Sequence, residues 1–202
     1  MKIARLFEEK AEPLASPKLL TCSEINVIRA CNLNRRWHSR LPEIHWSNVV
    51  RSKHYICYGA FYNNVVYAVA IWSSPVAANR FKNGDTLLEL RRMAISPEAP
   101  KYTATWMLSR MIKDIKKRFP KITRLISYQD TEVHKGTIYA AANWTKCSET
   151  KYIDWTTRKR KRSEAQSKAN KVRWEYCIDC ASKKGYVPKP GTIRRESKKP
   201  IS

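Results

Sequence analysis

The feature that most constrains the fold is a strand–helix–strand unit in the middle of the chain. The segment TLLELRRMAIS at 86–96 has Leu88 and Leu90 at alternate positions, as in a strand with one buried face. An amphipathic helical pattern follows at about 106–119, and the short apolar segment ITRLIS at 122–127 comes next. Two strands joined by one helix pair in parallel with a right-handed crossover. The unit therefore predicts parallel strands whose carboxyl ends meet at one edge of a sheet.

The segments before and after this unit predict a mixed sheet. In YICYGAFYNNVVYAVAIW, strand-forming residues flank Asn63-Asn64, a pair that tolerates the positive φ of a tight hairpin turn. A helix is predicted at about 24–35 with Ser23 as its cap, and a short helix in GTIYAAANW. An antiparallel hairpin joined to a parallel pair predicts an α/β (mixed α+β) fold, with a central mixed sheet flanked by helices.

The carboxyl-terminal quarter is predicted to be a basic extension. We place a catalytic domain at 1–155 and a basic segment at 156–202 that partly completes the sheet. Strands are predicted around 151–155 and 172–178. The intervening stretch TRKRKRSEAQSKANK, about 157–171, is basic and lacks large apolar residues, which predicts a mobile arm.

Charge is the strongest compositional feature. Forty Lys and Arg against seventeen Asp and Glu give a net charge of +23. Such an excess favours a polyanionic partner, and we predict nucleic acid; a merely solvated basic surface is the alternative. Phosphate contacts are expected from the basic residues around 35–53 and from a basic run in the arm. That run is Arg158, Lys159, Arg160, Lys161 and Arg162.

Other sequence features limit the compartment and the metal content. No apolar run approaches the roughly 18 residues that span a membrane. The beginning MKIARLFEEKAEP has acidic residues where a signal peptide is apolar, so a cytoplasmic protein with no membrane partner is expected. Among six cysteines, only Cys177 and Cys180 have metal-ligand spacing, and no second ligand pair accompanies them. Two thiols are therefore expected there, and no metal is predicted.

The loop SPEAPKYTAT, which precedes the long helix, is a candidate donor-binding site. Free amides and the helix dipole at a helix start favour an anionic group. Lys101 adds charge, Thr103 and Thr105 add hydroxyl groups, and Ala104 lies between them. The alternative is a plain helix cap formed by Thr103 or Thr105.

The second candidate loop is SYQDTEVHKGTIYAAANW at 127–144. Asp130 can orient or deprotonate an amine, and Tyr139 can donate a proton to a leaving group. Gly136 permits a sharp entry into the short helix. A loop cap at Asp130 and a packing role for Tyr139 are the alternatives. Arg92, on the neighbouring strand, needs an acidic or phosphate partner if it points inward, and pairing with Glu89 would make both residues structural.

The residues from Leu87 to Trp144 resemble the phage Mom-type DNA-modification proteins, a divergent branch of the GNAT (Gcn5-related N-acetyltransferase) fold. The matching elements are the segments LELR, the helix start TATW, SYQD and HKGTIY. The resemblance is looser over WHSRLP and the hairpin, and it does not cover the carboxyl-terminal quarter.

The resemblance implies conversion of adenine in double-stranded DNA to N6-carbamoylmethyl-adenine, which protects phage DNA from host restriction in the bacterial cytoplasm. It places Arg92, Asp130 and Tyr139 in the active site, with Ser127 and Tyr128 as further catalytic candidates. The substrate- or DNA-binding candidates outside the basic run are His38, Arg40, Trp106 and His134. A base flipped from the duplex would stack on Tyr128, Trp106 or Trp144.

One departure from the GNAT pattern concerns the donor. Ordinary GNAT proteins hold the acyl-CoA pyrophosphate on an R/Q-x-x-G-x-G/A turn, whereas residues 101–106 contain no glycine. The expected donor is therefore acetyl-CoA or another acyl or aminoacyl donor, with aminoacyl-tRNA as a candidate. Two rival functions stay open: an N-acetyltransferase acting on a protein, tRNA or small amine, and a non-enzymatic DNA-binding protein.

Overall fold

The computed structural model describes residues 14–38, 43–76, 86–151 and 169–179. The described strands form one sheet in the order β1-β2-β3-β4-β5-β7-β6. They are β1 Thr21–Glu24, β2 Tyr55–Tyr62, β3 Val65–Ser73, β4 Leu87–Ile95, β5 Arg124–Asp130, β6 Thr145–Thr150 and β7 Lys171–Cys177. The helices are α1 Val27–Trp37, α2 Trp46–Val50, α3 Thr103–Arg118 and α4 Thr137–Ala141, and a 3-10 turn covers Pro17–Leu19. Only β4 and β5 pair in parallel, so the predicted mixed sheet is confirmed.

The hairpin and the crossover unit fold as the sequence predicts. Asn63 and Asn64 have φ angles of 45° and 63°, and Tyr62 pairs with Val65 across the turn. Two central residues with positive φ are typical of a type I′ turn, whose twist matches that of the flanking strands. Helix α3 then connects β4 to its parallel neighbour β5.

The predicted start of the first helix is wrong. Ser23 does not cap it, because residues 21–24 form β1 and Ser23 pairs with Gly59 of β2. The cap is Asn26, whose Oδ1 accepts hydrogen bonds from the backbone N–H groups of Ile28 (2.9 Å) and Arg29 (3.3 Å). Pairing with a distant strand overrides the local capping preference of Ser23.

Helices cover both faces of the sheet. Helix α3 buries Met107, Leu108, Met111 and Ile115 in the larger core cluster, which also contains Trp72 of β3. Helix α1 packs on the opposite face, where a second cluster forms around β3. Trp106, predicted on the apolar face of α3, is only half-buried, and Met107 is fully buried instead.

The strands β4 and β5 diverge at their carboxyl ends. Their parallel pairing begins at Leu87 with Arg124 and ends at Leu90 with Ser127. Where β4 pairs with β3, Leu90 and Arg92 pair with two consecutive residues of β3. Arg91 between them is therefore the extra residue of a β-bulge. A bulge bends and twists its strand. Beyond Ser127, β5 pairs only with β7, and a cleft opens between the two strands.

The carboxyl-terminal strand lies inside the sheet. β7 pairs with β5 on one side and β6 on the other, which places it close to the predicted 172–178. The strand before it is β6, which ends at Thr150, just before the predicted range 151–155. Residues 152–155 and the part of the predicted arm at 157–168 lie outside the described residues. Lys171, assigned to that arm, opens β7. The domain boundary at 155 stays a prediction.

The thiol expected at Cys177 is not observed, because this cysteine is disulfide-bonded at the end of β7. Disulfide formation removes a thiol once a second cysteine lies within reach. Cys180 lies outside the described residues. None of the helices in the described ranges has the length and apolar character needed to cross a membrane.

Candidate active site

A cleft of about 240 Å³ lies between the diverging ends of β4 and β5. Its walls come from the end of α1, from β4 and β5, from the start of α3, and from α4 with the loop before it. The sequence-predicted residues that line it are His38, Arg92, Ala104, Ser127, Tyr128, Asp130, His134 and Tyr139. The structure thus brings residues from five separate segments to one cavity.

Tyr139 is a buried phenol at the cleft wall. Its hydroxyl lies 2.9 Å from Ser127 Oγ, and its ring stacks on Trp174 with a centroid distance of 5.5 Å. Burial raises the pKa of Tyr139, and the hydrogen bond with Ser127 offsets part of that rise. The phenol therefore keeps its proton at neutral pH and is suited to donate it.

Ser127 connects Tyr139 to the point where the two strands separate. Its hydroxyl donates to the carbonyl oxygen of Leu90 at 3.3 Å, the last residue of β4 that pairs with β5. Either hydroxyl group can donate in the Ser127–Tyr139 hydrogen bond. This chain fixes the orientation of the phenol relative to the cleft.

Asp130 anchors the loop that follows β5. Its Oδ2 accepts a hydrogen bond from Lys171 Nζ at 2.7 Å, and its Oδ1 accepts one from the backbone N–H of Glu132 at 3.1 Å. Its carbonyl oxygen accepts from the backbone N–H groups of Val133 and His134. The alternative of a loop-capping role is therefore part of what Asp130 does, although its side chain also lines the cleft.

A buried hydrogen-bond network places His134 beside the cleft. Gln129 Nε2 donates to the carbonyl oxygen of His134, and Gln129 Oε1 accepts from Trp174 Nε1 at 2.7 Å. Gly136 has a φ of 75°, and a Cβ there would lie 2.5 Å from Gln129 Oε1 and 2.6 Å from Trp174 Cζ2. The turn into α4 therefore requires glycine for its φ and for its lack of a side chain.

Arg92 contributes a half-buried guanidinium to the cleft. Its Nη1 donates to the carbonyl oxygen of Arg91 at 2.7 Å, and its Nε has no hydrogen-bond partner among the described residues. Burial, followed by the charge of Arg91, lowers the pKa of Arg92, while Glu89 raises it. Glu89, the alternative structural partner, acts on Arg92 through its charge, and its Oε2 accepts a hydrogen bond from the backbone N–H of Val76 at 3.3 Å. Arg92 thus has hydrogen-bonding capacity for a ligand.

His38 closes the α1 side of the cleft. Burial lowers its pKa below the ordinary value of 6.5, and the nearby Arg92 and His134 lower it further. Its Nδ1 is buried without a hydrogen-bond partner among the described residues. At neutral pH this imidazole is therefore uncharged and is suited to accept a proton.

The start of α3 is not the threonine cap that the sequence offered as the alternative to donor binding. Its cap residue is Tyr102, which has a φ of 67° and makes no side-chain cap hydrogen bond, so neither Thr103 nor Thr105 caps the helix. Thr103 is buried, and its hydroxyl donates to the carbonyl oxygen of Pro100 at 2.7 Å. Of the four predicted donor-binding residues, Ala104 lines the cleft, and Lys101 is exposed beside it.

The remaining predicted residues lie away from the cleft or beyond the described ranges. Trp106 is half-buried beneath Arg110, whose guanidinium carbon lies 5.8 Å from its ring centroid. Trp144 was predicted as a stacking platform, which is wrong because it is 4% exposed and packs against Tyr139. Arg40 and the run 158–162 lie outside the described residues.

Three supporting residues, Lys171, Gln129 and Trp174, escaped the sequence-based prediction. Lys171 and Trp174 belong to β7, which pairs with β5 across a gap of more than forty positions in the sequence. Alternating apolar residues in KVRWEYC show that Val172 and Trp174 share a face, but no local pattern shows which strand they accompany. The sequence-based prediction also missed the cleft residues Arg91, Met93 and Val133. The neighbouring sequence indicates neither the β-bulge in β4 nor the turn of the loop after β5.

Comparison with solved structures identifies the fold class of this chain. The ribosomal-protein-S18-alanine N-acetyltransferase from Escherichia coli aligns with a TM-score of 0.57 at 14% identity, over 83% of this chain and 99% of that one. A putative acetyltransferase from Salmonella typhimurium with its cofactor acetyl-CoA aligns with 0.57 at 10% identity, over 80% and 95%. The spermidine/spermine N-acetyltransferase from Vibrio cholerae gives 0.57 at 9%, over 84% and 99%. The chain has the GNAT acetyltransferase fold.

The sequence defines the family within that fold. The model of the Mom protein family matches residues 24–189. The chain belongs to the Mom protein family and is an acyltransferase-fold protein of that family. No curated protein sequence matches this chain.

Proposed function

We propose that this protein converts adenine in double-stranded DNA to N6-carbamoylmethyl-adenine and so protects phage DNA from restriction in the cytoplasm of the bacterial host. The observation that carries the proposal is the Ser127–Tyr139 pair in the cleft where β4 and β5 diverge, in a chain that belongs to the Mom family. The net charge of +23 supports a nucleic-acid substrate.

The dimensions of the cleft support a flipped-base mode of binding. At about 240 Å³, the cleft is smaller than the roughly 300–1,000 Å³ typical of drug-sized ligand sites, so it suits one base rather than a stretch of duplex. Enzymes that act on a base within a duplex rotate it out of the stack. Tyr128 lines the cleft and offers an aromatic ring to the extruded adenine.

Each polar cleft residue has a role in transfer to the exocyclic amine. Asp130 lines the cleft and orients the amine, and neutral His38 takes the proton that N6 loses. As N6 bonds to the carbonyl carbon of an acyl donor, the bond from that carbon to its carrier breaks. Tyr139 gives its proton to the departing carrier atom, and Arg92 binds the donor carbonyl oxygen.

The donor is an acyl or aminoacyl carrier. An acyl-CoA is supported by the shared fold with the Salmonella typhimurium protein, whose structure contains acetyl-CoA. The cleft fits the acyl end, but the start of α3 does not reproduce a glycine-rich phosphate cradle. Tyr102 is 78% exposed, and its Cβ stands where a glycine would let a phosphate approach the backbone. Acetyl-CoA transfers a group without nitrogen and would give N6-acetyl-adenine, so an aminoacyl donor such as aminoacyl-tRNA is the candidate that can supply the carbamoylmethyl group.

Chemistry links an aminoacyl donor to the proposed product. Attack of N6 on a glycyl ester gives N6-glycyl-adenine and releases the carrier alcohol. This product has the same elemental composition as N6-carbamoylmethyl-adenine. Attack of the glycyl amine on adenine C6 forms a new C6–N bond, and cleavage of the original C6–N6 bond then leaves the former N6 as the terminal amide, which gives the carbamoylmethyl product without any further reactant. A mass measurement without fragmentation cannot distinguish these isomers, and the test must therefore include fragmentation.

The test is the nucleoside composition of DNA from bacteria that express the protein. We expect a modified deoxyadenosine whose fragments show a carbamoylmethyl group on N6, and its absence when Tyr139→Phe is expressed to the same level. Unaltered deoxyadenosine in cells with soluble wild-type protein would contradict the proposal.

The GNAT fold itself favours one rival, an N-acetyltransferase for a protein, tRNA or small amine. Purified protein incubated with acetyl-CoA and each acceptor class distinguishes the two. Acetylated tRNA or amine together with unmodified DNA would favour the rival. A DNA-binding protein without catalytic activity would give neither product.

A further inference from the structure

A second cavity adjoins the cleft on the α1 side of the sheet. This groove has a volume of about 550 Å³, more than twice that of the cleft. Its walls are Arg29, Arg36 and Trp37 of α1, Val65 at the hairpin turn, and Glu98 in the turn after β4. We call it the α1 groove.

The α1 groove and the cleft share a wall. Trp37 lines the groove, and the next residue, His38, lines the cleft. Likewise Ile95 at the end of β4 lines the cleft, and the following Ser96 lines the groove. Consecutive residues at the end of α1 and at the end of β4 therefore border the two cavities.

The α1 side of the groove is suited to a phosphate backbone. Arg29 and Arg36 are exposed and make no ion pair with any described residue, whereas the neighbouring Arg35 lies 3.6 Å from Glu43. They are seven positions apart, which is two helical turns or about 10 Å along the axis. Both side chains line the groove, so two unpaired cations face it from one helix.

The groove also has surface suited to bases. Trp37 is half-buried and Val65 is 50% exposed, which gives the groove apolar surface beside its cations. Base stacking on an aromatic ring is sequence-tolerant. Glu98 keeps phosphates to the α1 side by repulsion and can accept a hydrogen bond from a base amino group.

We infer that the α1 groove binds the duplex DNA that flanks the target adenine. The inference rests on the proposed function, because it places the neighbouring nucleotides next to the cleft that receives the extruded base. Arg29 and Arg36 contact phosphates of the strand, and Trp37 supports the bases adjoining the gap left by the flipped adenine. Duplex DNA fits this role better than a carrier RNA, because the groove adjoins His38, on the acceptor side of the cleft.

The test compares two variants that lose the same charge. R29A/R36A removes both groove cations, and K117A/K121A removes two exposed cations outside the groove and the cleft. Binding of a labelled duplex is measured by fluorescence anisotropy across a range of salt concentrations, and unfolding by urea confirms that both variants fold. For R29A/R36A we expect affinity to fall by about 10-fold or more, and the slope of log K against log salt to fall in magnitude by about 2.

The control is expected to change affinity by less than about 3-fold. Equal losses in the two variants would overturn the inference, since they would show a diffuse effect of charge. Loss of tRNA binding with intact DNA binding would also overturn it, by assigning the groove to the donor. The outcome is independent of catalysis: selective loss of DNA binding supports the groove even if the wild-type protein leaves adenine unmodified.

A second measurement locates the contact. Photo-crosslinking from iodinated pyrimidines beside a target adenine is expected to label Trp37 in the wild-type protein. Crosslinks confined to aromatic residues outside the groove would contradict the proposed position of the flanking strand.

Discussion

The hydroxyl of Tyr139 is held 2.9 Å from that of Ser127, at the position where β4 and β5 cease to pair. The cleft begins at this position, so a buried phenol stands at its base. Trp174 stacks on the Tyr139 ring and holds it there from the β7 side.

Replacing Tyr139 by Phe tests the proton donor. The substitution keeps the ring and its stacking and removes the hydroxyl, so modification should slow by about 100- to 10,000-fold. Stability should change by less than about 1.5 kcal/mol, because Ser127 retains its bond to Leu90. Nucleoside analysis and urea unfolding measure the two effects. Tyr176→Phe, at a half-buried phenol outside the cleft lining, is the control, and comparable losses in both variants would count against Tyr139.

The titration of His38 tests the electrostatics of the cleft. Proton NMR should give a pKa below 6.5, and Arg92→Gln should raise it, because the charge of Arg92 lowers it in the wild type. Arg91→Gln is the matched control. Since the folded state favours the neutral imidazole, His38 supports stability above pH 6.5, and that contribution is lost as the pH falls through its depressed pKa. A pKa at or above 6.5 in the wild type would contradict this description.

Breaking the ion pair between Lys171 and Asp130 should destabilise the protein. The Asp130 side chain is 9% exposed and that of Lys171 is 30% exposed, so Lys171→Met removes the ammonium from a largely buried carboxylate. We expect a loss of about 1–3 kcal/mol in the free energy of unfolding. Lys146→Met removes one partner of an exposed pair 3.5 Å apart and should cost less than about 1 kcal/mol. Equal losses in urea unfolding would show that burial of the Asp130 pair adds nothing.

Gly136→Ala tests the turn that leads into α4. A residue other than glycine at a φ of 75° is strained, and its Cβ would displace Gln129 and Trp174. The expected loss is about 1–3 kcal/mol in stability, with reduced modification because His134 and Tyr139 both depend on this turn. Thr137→Ala, at the exposed next residue, is the control. Wild-type stability and activity of Gly136→Ala would disprove the requirement.

Local patterns predicted most of the fold. The amphipathic face of α3 and the Asn63-Asn64 turn each encode their structure within a few positions. The one buried face expected for β4 is wrong, because helices cover both faces of the sheet and residues Leu87 to Leu90 are all buried. The start of α1 was mispredicted because Ser23 belongs to a ladder with Gly59. Such a pairing depends on a strand far along the chain, so the residues next to Ser23 do not indicate it.

The site residues likewise fall into those that local sequence indicates and those that depend on distant strand pairing. Asp130 and Tyr139 were found because they cluster on one loop, and their positions on the cleft follow from the parallel strands. Lys171 was not found, since its contact with Asp130 depends on β7 pairing with β5. The buried neutral imidazole of His38 was also unforeseen, because burial is a property of the assembled sheet and helices.

The position of β7 between β5 and β6 limits which deletions can remove the basic residues that precede β7 in the sequence. Thr150 pairs with Lys171, and Lys171 pairs with Asp130, so the chain leaves the sheet and rejoins it at one point beside the cleft. Residues 152–168 between these anchors carry six Lys or Arg and two Asp or Glu. Any polyanion bound there is tethered next to Asp130, which raises its effective concentration at that point. Truncation from the carboxyl terminus cannot remove this stretch without also removing an interior strand, so only internal deletion isolates its contribution.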